Sequence, residues 1–269
     1  MEKIGAGALT LSGDNTYSGA TSVKAGTLTL TGDAVKANSS IEIAEGATLE
    51  YNVPFDEKQL TFSNDATVSG GNVLKTGDGK LKILAEEGLF QSGLFTVKEG
   101  ELDFKGLLNG DLVIKDGAVF SPGNSVGSLD LTGNFTLESG ATLLLEVGKD
   151  SSGEIQTDEL TATGVTTFAD GSIIKIALDS SFENSFEDGD QASILLPSGI
   201  LGSDGNDLNL DMLAFQLGMF DLLGYDSTTG LLTVAYAAPS AGGVPEPSTW
   251  ALMILGAAGL LYWRKRKSA

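Results

Sequence analysis

The feature that most constrains the fold of this chain is an internal duplication in its first half. Residues 3–30 and 75–104 share one pattern of lysine, glycine and aliphatic residues. At an offset of 72 the matched pairs are Lys3/Lys75, Gly5/Gly77, Gly7/Gly79, Leu9/Leu81 and Leu11/Ile83. After a two-residue insertion they are Gly19/Gly93, Val23/Val97, Lys24/Lys98, Gly26/Gly100, Leu28/Leu102 and Leu30/Phe104. Residues 41–49 and 112–120 continue the match, and such self-similarity predicts a fold of stacked repeats.

A shorter signal recurs inside this unit, an apolar residue three positions before a glycine. The copies are Val23/Gly26, Ile43/Gly46, Leu74/Gly77, Val97/Gly100, Ile114/Gly117, Leu137/Gly140, Phe168/Gly171 and Phe186/Gly189. The glycines are 20, 31, 23, 17, 23, 31 and 18 residues apart, a spacing typical of solenoid coils with one or two strands and a turn. We expect five of these glycines at corners, where positive φ is needed: Gly26, Gly46, Gly100, Gly117 and Gly140. We expect these apolar residues inside: Val23, Ile43, Val97, Ile114 and Leu137. A sandwich of two antiparallel sheets is the alternative.

Charge and residue usage exclude several classes of function. The chain carries 16 basic and 36 acidic residues. Four of the basic residues form one C-terminal cluster, so the body before it has 12 lysines, no arginine and a formal charge of −24. Such a body repels nucleic acid, and no nucleic-acid partner is expected. The absence of cysteine and histidine removes disulfides, thiolate nucleophiles and the Ser-His-Asp triad. We expect no catalytic residue, no metal and no cofactor.

The C-terminal part has a different composition. Residues 237–248 are small, rich in proline and glycine and uncharged except for Glu246, which indicates a linker. Residues 249–263 are apolar apart from Thr249. As a helix they span only ~22 Å of a ~30 Å hydrocarbon core, but aromatic residues stand at both ends, as in membrane belts. We predict a membrane helix anchored by Trp250, Leu252, Leu255, Leu260 and Trp263. The basic stop is Arg264, Lys265, Arg266 and Lys267.

The first repeat resembles a known family. Residues 11–30 are similar to the autotransporter-associated β-strand repeat at Leu11, Gly13, Asn15, Tyr17, Gly19, Thr21, Gly26 and Leu28. The second unit departs from this pattern, because Glu87, Leu89 and Phe95 replace the Asn, Tyr and Thr. Residues 121–137 resemble the segment that often follows such repeats in passenger domains. The resemblance covers about half of the chain and implies a right-handed parallel β-helix.

The C-terminus resembles the PEP-CTERM sorting signal, in which a Pro-Glu-Pro motif, a short hydrophobic helix and a basic stop occur in this order. Here the motif is Pro245, Glu246 and Pro247. The resemblance implies recognition of these three residues by an exosortase-type sorting protease. It also implies anchoring in the inner membrane of a bacterial cell envelope, cleavage near the motif, and transfer to the cell surface or an exopolysaccharide matrix. The alternative is a rigid proline-rich spacer before an ordinary tail anchor.

These observations predict an all-β chain: a right-handed parallel β-helix or solenoid, followed by a linker and one C-terminal transmembrane helix. Residues 1–181 hold the solenoid repeats, with units at about 3–51 and 75–122. Residues 182–236 form its irregular β C-terminal part, although residues 207–224 could also form a helix with Leu213, Leu217 and Phe220 on one face. Residues 237–248 are the linker with the Pro-Glu-Pro motif, and residues 249–269 are the hydrophobic helix and basic stop.

The predicted function is that of a non-enzymatic, exported surface or extracellular-matrix protein. Its expected partners are the sorting protease and the membrane, and exopolysaccharide is a further candidate partner. A carbohydrate-binding adhesin module of the exopolysaccharide matrix is the first alternative, and a row of aromatic residues on one outer face would indicate it. A secreted polysaccharide-active enzyme is the second, since a glycosidase needs only two carboxylates. A sorted protein needs an export signal, and the repeat begins directly after Met1-Glu2. We therefore expect the start to be misassigned or truncated.

Overall fold

The computed structural model describes residues 1–238 apart from residue 18 and residues 35–39, 63–66, 124 and 180–185, and it describes only the backbone of residues 86–89. Its strands are β1 Glu2–Lys3, β2 Ala8–Leu11, β3 Thr21–Val23, β4 Thr27–Thr31, β5 Ile41–Asn52, β6 Glu57–Phe62, β7 Val68–Thr76, β8 Lys80–Val97, β9 Glu101–Ile114, β10 Val119–Pro122, β11 Ser128–Leu131, β12 Phe135–Leu137, β13 Thr142–Lys149, β14 Ile155–Thr157, β15 Glu159–Ala162, β16 Thr166–Phe168, β17 Ile173–Leu178, β18 Gln191–Leu195, β19 Ala214–Gln216, β20 Phe220–Asp226 and β21 Leu231–Tyr236. Two short 3₁₀ helices span Gly32–Ala34 and Leu210–Met212.

The strands stack in parallel, coil upon coil, in three ladders that we call the first, second and third faces. The first face begins with β1, β3 and the start of β5, and the second with β2, β4 and the end of β5. The third begins with β6 and the start of β8. On the second face Val97 pairs with Ile114, Ile114 with Leu137, and Leu137 with Phe168. The parallel register of the described residues is that of a β-solenoid, not of two packed antiparallel sheets.

The core of the solenoid is an apolar column inside the coils. All five residues predicted to point inward are buried, and they are Val23, Ile43, Val97, Ile114 and Leu137. Phe90 stacks on Phe95 with ring centroids 5.5 Å apart and meets Phe62 and Phe104 edge-on at 5.3 Å. Burying one such side chain contributes about 1.5–3 kcal/mol. The alternation of inward and outward residues therefore drives the stacking, as the sequence predicts.

The corner glycines are confirmed. The five predicted ones, Gly26, Gly46, Gly100, Gly117 and Gly140, have positive φ, and so do the other motif glycines Gly77, Gly171 and Gly189. Gly26 also allows a close approach between coils, because a Cβ there would lie 2.4 Å from the carbonyl oxygen of Gly7 in the preceding coil. Glycine therefore meets two demands at this corner, a left-handed backbone and space for the neighbouring coil.

Two copies of the short motif depart from the predicted geometry. At the third copy Leu74 points outward, and the inward position belongs to Lys75, which is 0% exposed. At the eighth copy Phe186 lies outside the parallel coils and packs against Phe220 and Tyr236. The gap between successive motif copies equals one coil from Val23 to Ile43 on the first face and from Val97 to Phe168 on the second. The 31-residue gap between Gly46 and Gly77 instead leads from the first face to the second, because Ile43 pairs with Gly70. The last copy belongs to a different element.

The duplicated units do not lie on the same faces. In the first unit Lys3 pairs with Val23 on the first face and Leu9 with Leu28 on the second. In the second unit Lys75 pairs with Val97 on the second face, and Leu81 pairs with Leu102 on the third face. The second unit is thus displaced by one face around the solenoid axis, although its local structure is the same.

The C-terminal end of the solenoid carries an antiparallel cap, in which β21 pairs with both β18 and β20. The helix considered for residues 207–224 is wrong, since these residues form the 3₁₀ turn Leu210–Met212, β19 and the start of β20. A second antiparallel strand pair, the β13–β14 excursion, extends from the third face. No helix among the described residues is both long and apolar enough to cross a membrane; the predicted membrane helix at 249–267 lies outside them.

Candidate functional sites

The predicted sorting and membrane residues lie outside the described part of the chain. They are Pro245, Glu246 and Pro247, the anchor residues Trp250, Leu252, Leu255, Leu260 and Trp263, and the basic stop Arg264, Lys265, Arg266 and Lys267. The chain leads to them from the capped end of the solenoid. There the backbone N–H of Ala237 donates to the carbonyl of Met219, and that of Ala238 donates to the Asp188 carboxylate.

The acidic loops that could suggest catalysis or calcium binding form solvent-exposed turns. Asp204 accepts hydrogen bonds from the backbone and side chain of Asn206, and these bonds hold the pKa of its carboxyl below the usual range. Asp207 and Asp211 are likewise exposed. Within the described residues no three acidic side chains converge in a way that could hold a metal ion. The turns therefore use their carboxylates to close the loops.

The aromatic residues do not form an outer row. Tyr51, Phe62, Phe90 and Phe95 are buried in the core. Of the other aromatic residues considered for sugar stacking, Tyr17 is half-buried and Phe55 is 83% exposed. The stacking platform that would indicate an adhesin is therefore not formed by these side chains.

A group of buried and half-buried acidic side chains, which the sequence analysis missed, lies against the third face. We call it the carboxylate cluster, and its members are Glu101, Asp103, Glu146, Asp158 and Asp179. Asp103, Asp158 and Asp179 are 5%, 0% and 2% exposed. Carboxylates are almost never this buried unless they are paired or hydrogen-bonded.

One end of the cluster is a carboxyl pair bound to a single ammonium group. Lys80 Nζ lies 2.6 Å from Glu101 Oε1 and 3.2 Å from Asp103 Oδ2, while Asp103 Oδ1 has no hydrogen-bond partner. Burial raises the pKa of Asp103 to about 7, with the Glu101 charge adding to the shift and Lys80 opposing it. Burial alone would lower the pKa of Lys80, but the two carboxylates outweigh it and raise that pKa. The two acids thus share one ammonium group, and Asp103 takes up a proton near neutral pH.

The other end of the cluster holds the loop segment at residues 125–127. Asp158 Oδ1 accepts from the backbone N–H of Gly127, and Asp158 Oδ2 accepts from that of Glu146, both at 2.8 Å. Asp179 accepts from the hydroxyl of Ser125 and the backbone N–H of Val126. Burial raises the pKa of Asp158 to about 8 despite these donors. The loop is therefore fixed by buried carboxylates, and Ser125 adopts a positive φ of 69°.

The lysine of each duplicated unit binds the carbonyl groups of its own corner. Lys75 Nζ donates to the carbonyls of Thr76, Gly77, Gly79 and Glu99 at 3.2, 2.5, 2.6 and 3.0 Å. Burial lowers its pKa to about 8, against the pull of nearby carboxylates. In the first unit Lys3 Nζ donates in the same way, to the carbonyls of Ile4, Gly5 and Ala25 at 3.3, 2.7 and 2.8 Å. The matched lysines therefore have a structural role. The sequence signal for this role was the identical spacing between each lysine and the glycines that follow it.

Comparison with known families agrees with both resemblances. The model of the passenger-associated-transport-repeat matches residues 1–33, which contain all eight positions of the repeat pattern. The model of the PEP-CTERM protein-sorting motif matches residues 243–267, which contain the Pro-Glu-Pro motif, the apolar segment and the basic stop. No curated protein matches the sequence significantly.

The sorting motif implies processing by an exosortase-type system, and it is consistent with export to the cell envelope and with a place at the cell surface. The two matched segments are separate, and the capped solenoid and the linker lie between them. The chain therefore carries a segment similar to the passenger-associated-transport-repeat at residues 1–33 and a PEP-CTERM protein-sorting motif at residues 243–267.

Proposed function

We propose that this chain is a non-enzymatic surface or extracellular-matrix protein, which an exosortase-type protease cleaves near Pro245-Glu246-Pro247 after the C-terminal helix has anchored it in the inner membrane. The observation that carries this proposal is the sorting motif at residues 243–267. It directly follows a solenoid whose described end is closed by an antiparallel cap. A capped rod followed by a linker suits a module that is displayed outside the membrane.

The chemistry of the solenoid supports a structural role over a catalytic one. Two buried titratable groups make structural hydrogen bonds: Lys75 binds the carbonyls of a corner, and Asp158 binds the backbone of a loop. A formal charge of −24 before the basic stop keeps such a body soluble and separate from like-charged surfaces. An acidic exopolysaccharide would then be a neighbour in the matrix and not a tightly bound ligand.

Two finer features belong to this proposal. The coils wind with a right hand, which is the hand of nearly all parallel strand connections. The helix at 249–267 is oriented with Arg264–Lys267 in the cytoplasm, as the positive-inside preference requires.

The test is to follow an epitope-tagged full-length chain in a bacterium that has an exosortase. The wild-type chain should lose its C-terminal segment and move from the membrane fraction to the surface or medium. A Pro245→Ala/Glu246→Ala/Pro247→Ala variant should remain in the membrane at its unprocessed mass. The matched control is Pro239→Ala, which changes a linker proline outside the motif and should be processed normally. Normal processing of the triple variant would refute the proposal.

A further inference from the structure

The loop segment at residues 125–127 is held closed by two carboxylates that lie beneath it. Ser125 is exposed, whereas Asp158 and Asp179 are 0% and 2% exposed. Asp179 accepts from the hydroxyl of Ser125 and from the backbone N–H of the next residue, and Asp158 accepts from the backbone N–H of Gly127. Each residue of the segment is thus bound by a buried carboxylate, and the segment separates these carboxylates from the solvent.

The closed segment also contains a strained residue. Ser125 has a φ of 69°, and this left-handed conformation is unfavourable for a serine because its Cβ crowds the backbone. The hydrogen bonds to Asp179 hold the residue in place. Opening of the segment therefore relieves the backbone and lets water reach two buried carboxylates.

The carboxylate cluster beneath the segment has five carboxyl groups, and three lysines face it. Lys80 on β8 binds two of its members. Lys82, also on β8, pairs with Glu57 outside the cluster at 3.2 Å. Lys105 on β9 lies beside Gly127, with its Cδ 3.3 Å from the place that a Cβ of this glycine would take. When all these groups are ionised, an excess of negative charge is buried, which is costly.

Asp103 indicates what compensates this charge. Its Oδ1 is buried and has no hydrogen-bond partner, although its Oδ2 lies 3.2 Å from Lys80 Nζ. A proton is the ligand that such an oxygen lacks, because protonation removes a buried charge. Burial raises the pKa of Asp103 to about 7 and that of Asp158 to about 8, and the charges of Glu146 and Asp103 add to the shift of Asp158. The closed segment therefore covers carboxyl groups that hold protons near neutral pH.

We propose that the loop segment at residues 125–127 is a pH-dependent switch, which stays closed while the carboxyl groups beneath it hold protons and opens locally when they ionise. In the open segment Asp158 is solvated, so its pKa returns towards 3.8. Between this pKa and about 8 the closed segment binds more protons than the open one, and opening becomes more favourable as the pH rises. The proposal concerns the solenoid alone and does not rest on the sorting motif.

The coils stay folded when the segment opens, because the strand that follows it is held independently. Leu129 and Leu131 in β11 are 0% and 1% exposed. Leu129 pairs with Gly106 in β9 on one side and with Leu160 in β15 on the other. These contacts do not involve the carboxylates beneath the segment.

The test measures hydrogen exchange of the full-length chain from pH 5 to pH 8. Rates divided by those of an unstructured peptide of the same sequence at each pH give the protection of each amide. Protection of Val126 and Gly127 should fall at least tenfold over this range. The control amide is that of Asn134, which donates to the Asp111 carboxylate at the surface. Its protection should change less than about threefold.

Three variants separate the switch from a purely structural loop. Asp158→Asn cannot ionise, so the fall in protection at Gly127 should shrink to less than about threefold. Glu146→Gln removes the like charge that acts most strongly on Asp158 and leaves the hydrogen bonds of the segment in place. Protection at pH 8 should therefore rise at least threefold above that of the wild type. Glu159→Gln is the matched control, since Glu159 is exposed, and it should behave as the wild type.

Three results would overturn the proposal. The first is constant protection of Val126 and Gly127 from pH 5 to pH 8, and the second is an equal fall in the wild type and in Asp158→Asn. The third is a fall that only parallels that of the core amide of Leu112, which donates to the carbonyl of Asn134 at 2.9 Å. This result would assign the pH dependence to global unfolding and not to the segment.

Discussion

At the scale of single residues, Lys75 shows how a charged side chain can replace an apolar one in the core. Its alkyl stem occupies the column between Tyr51 and Val97, and its ammonium group is surrounded by four carbonyl oxygens. Hydrogen bonds to a buried charge contribute more than neutral ones, and carbonyls left unpaired in the core are costly. The lysine therefore stabilises the corner around Gly77 and Gly79 through these hydrogen bonds.

We expect Lys75→Met to lower the free energy of unfolding by about 3 kcal/mol, because the apolar stem is kept while the buried carbonyls lose their donor. Urea denaturation followed by circular dichroism measures this change. Lys24→Met is the control: the Lys24–Glu42 ion pair is exposed with 3.9 Å between its atoms, so its loss should cost less than about 1 kcal/mol. Equal stabilities of the two variants would contradict the structural role of Lys75.

Asp103 makes the stability depend on pH. Its pKa in the folded protein is about 7, above the value near 3.8 in the unfolded chain. Between these values the folded state binds more protons than the unfolded state, so the free energy of unfolding falls as the pH rises. Asp158, with a pKa of about 8, acts in the same direction. We expect stability to decrease from pH 5 to pH 8.

The Asp103→Asn variant removes one of these titrations, and the stability should then fall less steeply over the same range. Urea denaturation at several pH values measures the slope, to which one fully linked proton contributes about 1.4 kcal/mol per pH unit. Asp130→Asn is the control, since Asp130 lies on the exposed surface. A wild-type stability that rises from pH 5 to pH 8 would show that the buried carboxyl groups do not have raised pKa values.

At the scale of elements, the loop segment at residues 125–127 is held by side chains from distant parts of the chain. Asp158 follows the β13–β14 excursion and binds both the loop and the backbone of Glu146 in β13. It therefore ties the third face to the start of β11. Because each buried donor left without a partner costs about 1–3 kcal/mol, this single carboxylate can determine whether the loop stays closed.

We expect Asp158→Ala to speed hydrogen exchange at the amides of Gly127 and Glu146 by at least tenfold, and to expose the loop to proteases. Asp130→Ala is the control, because Asp130 accepts only an exposed bond from the Thr161 hydroxyl at 2.7 Å. Exchange measured by NMR or mass spectrometry separates this local opening from global unfolding. Unchanged exchange at both amides would contradict the role given to Asp158.

At the scale of the whole molecule, we propose that the solenoid and the C-terminal segment have separate roles. The described part of the chain ends at Ala238, whose backbone N–H donates a hydrogen bond to the Asp188 carboxylate. We expect a chain that lacks residues 244–269 to keep the thermal midpoint of the solenoid and to lose its affinity for membranes. Circular dichroism and flotation with lipid vesicles measure the two properties. A truncated chain that still floats with vesicles, or that has lost its cooperative unfolding, would contradict this division.

The sequence alone determined the features that depend on local chemistry. Glycines at corners, inward residues such as Val97 and Ile114, and the sorting motif follow from short patterns, because positive φ, side-chain alternation and motif recognition each involve only a few neighbouring residues. The all-β architecture and its parallel coils follow from the repetition of these patterns. The orientation of Leu74 and the helix alternative for residues 207–224 show where local periodicity was insufficient.

Only the tertiary structure decided which residues meet across coils. The coils differ in length, with register offsets of 17 residues at Val97/Ile114 and 31 at Leu137/Phe168. The extra residues are taken up between the faces, and the residues that follow them still stack on the coil before. The tertiary structure alone shows that the second unit lies one face away from the first, which puts Lys75 in an apolar column. It also brings Asp103, Asp158 and Asp179, far apart in the sequence, into one buried cluster, because the lengths of the coils decide which residues meet and no local pattern sets those lengths.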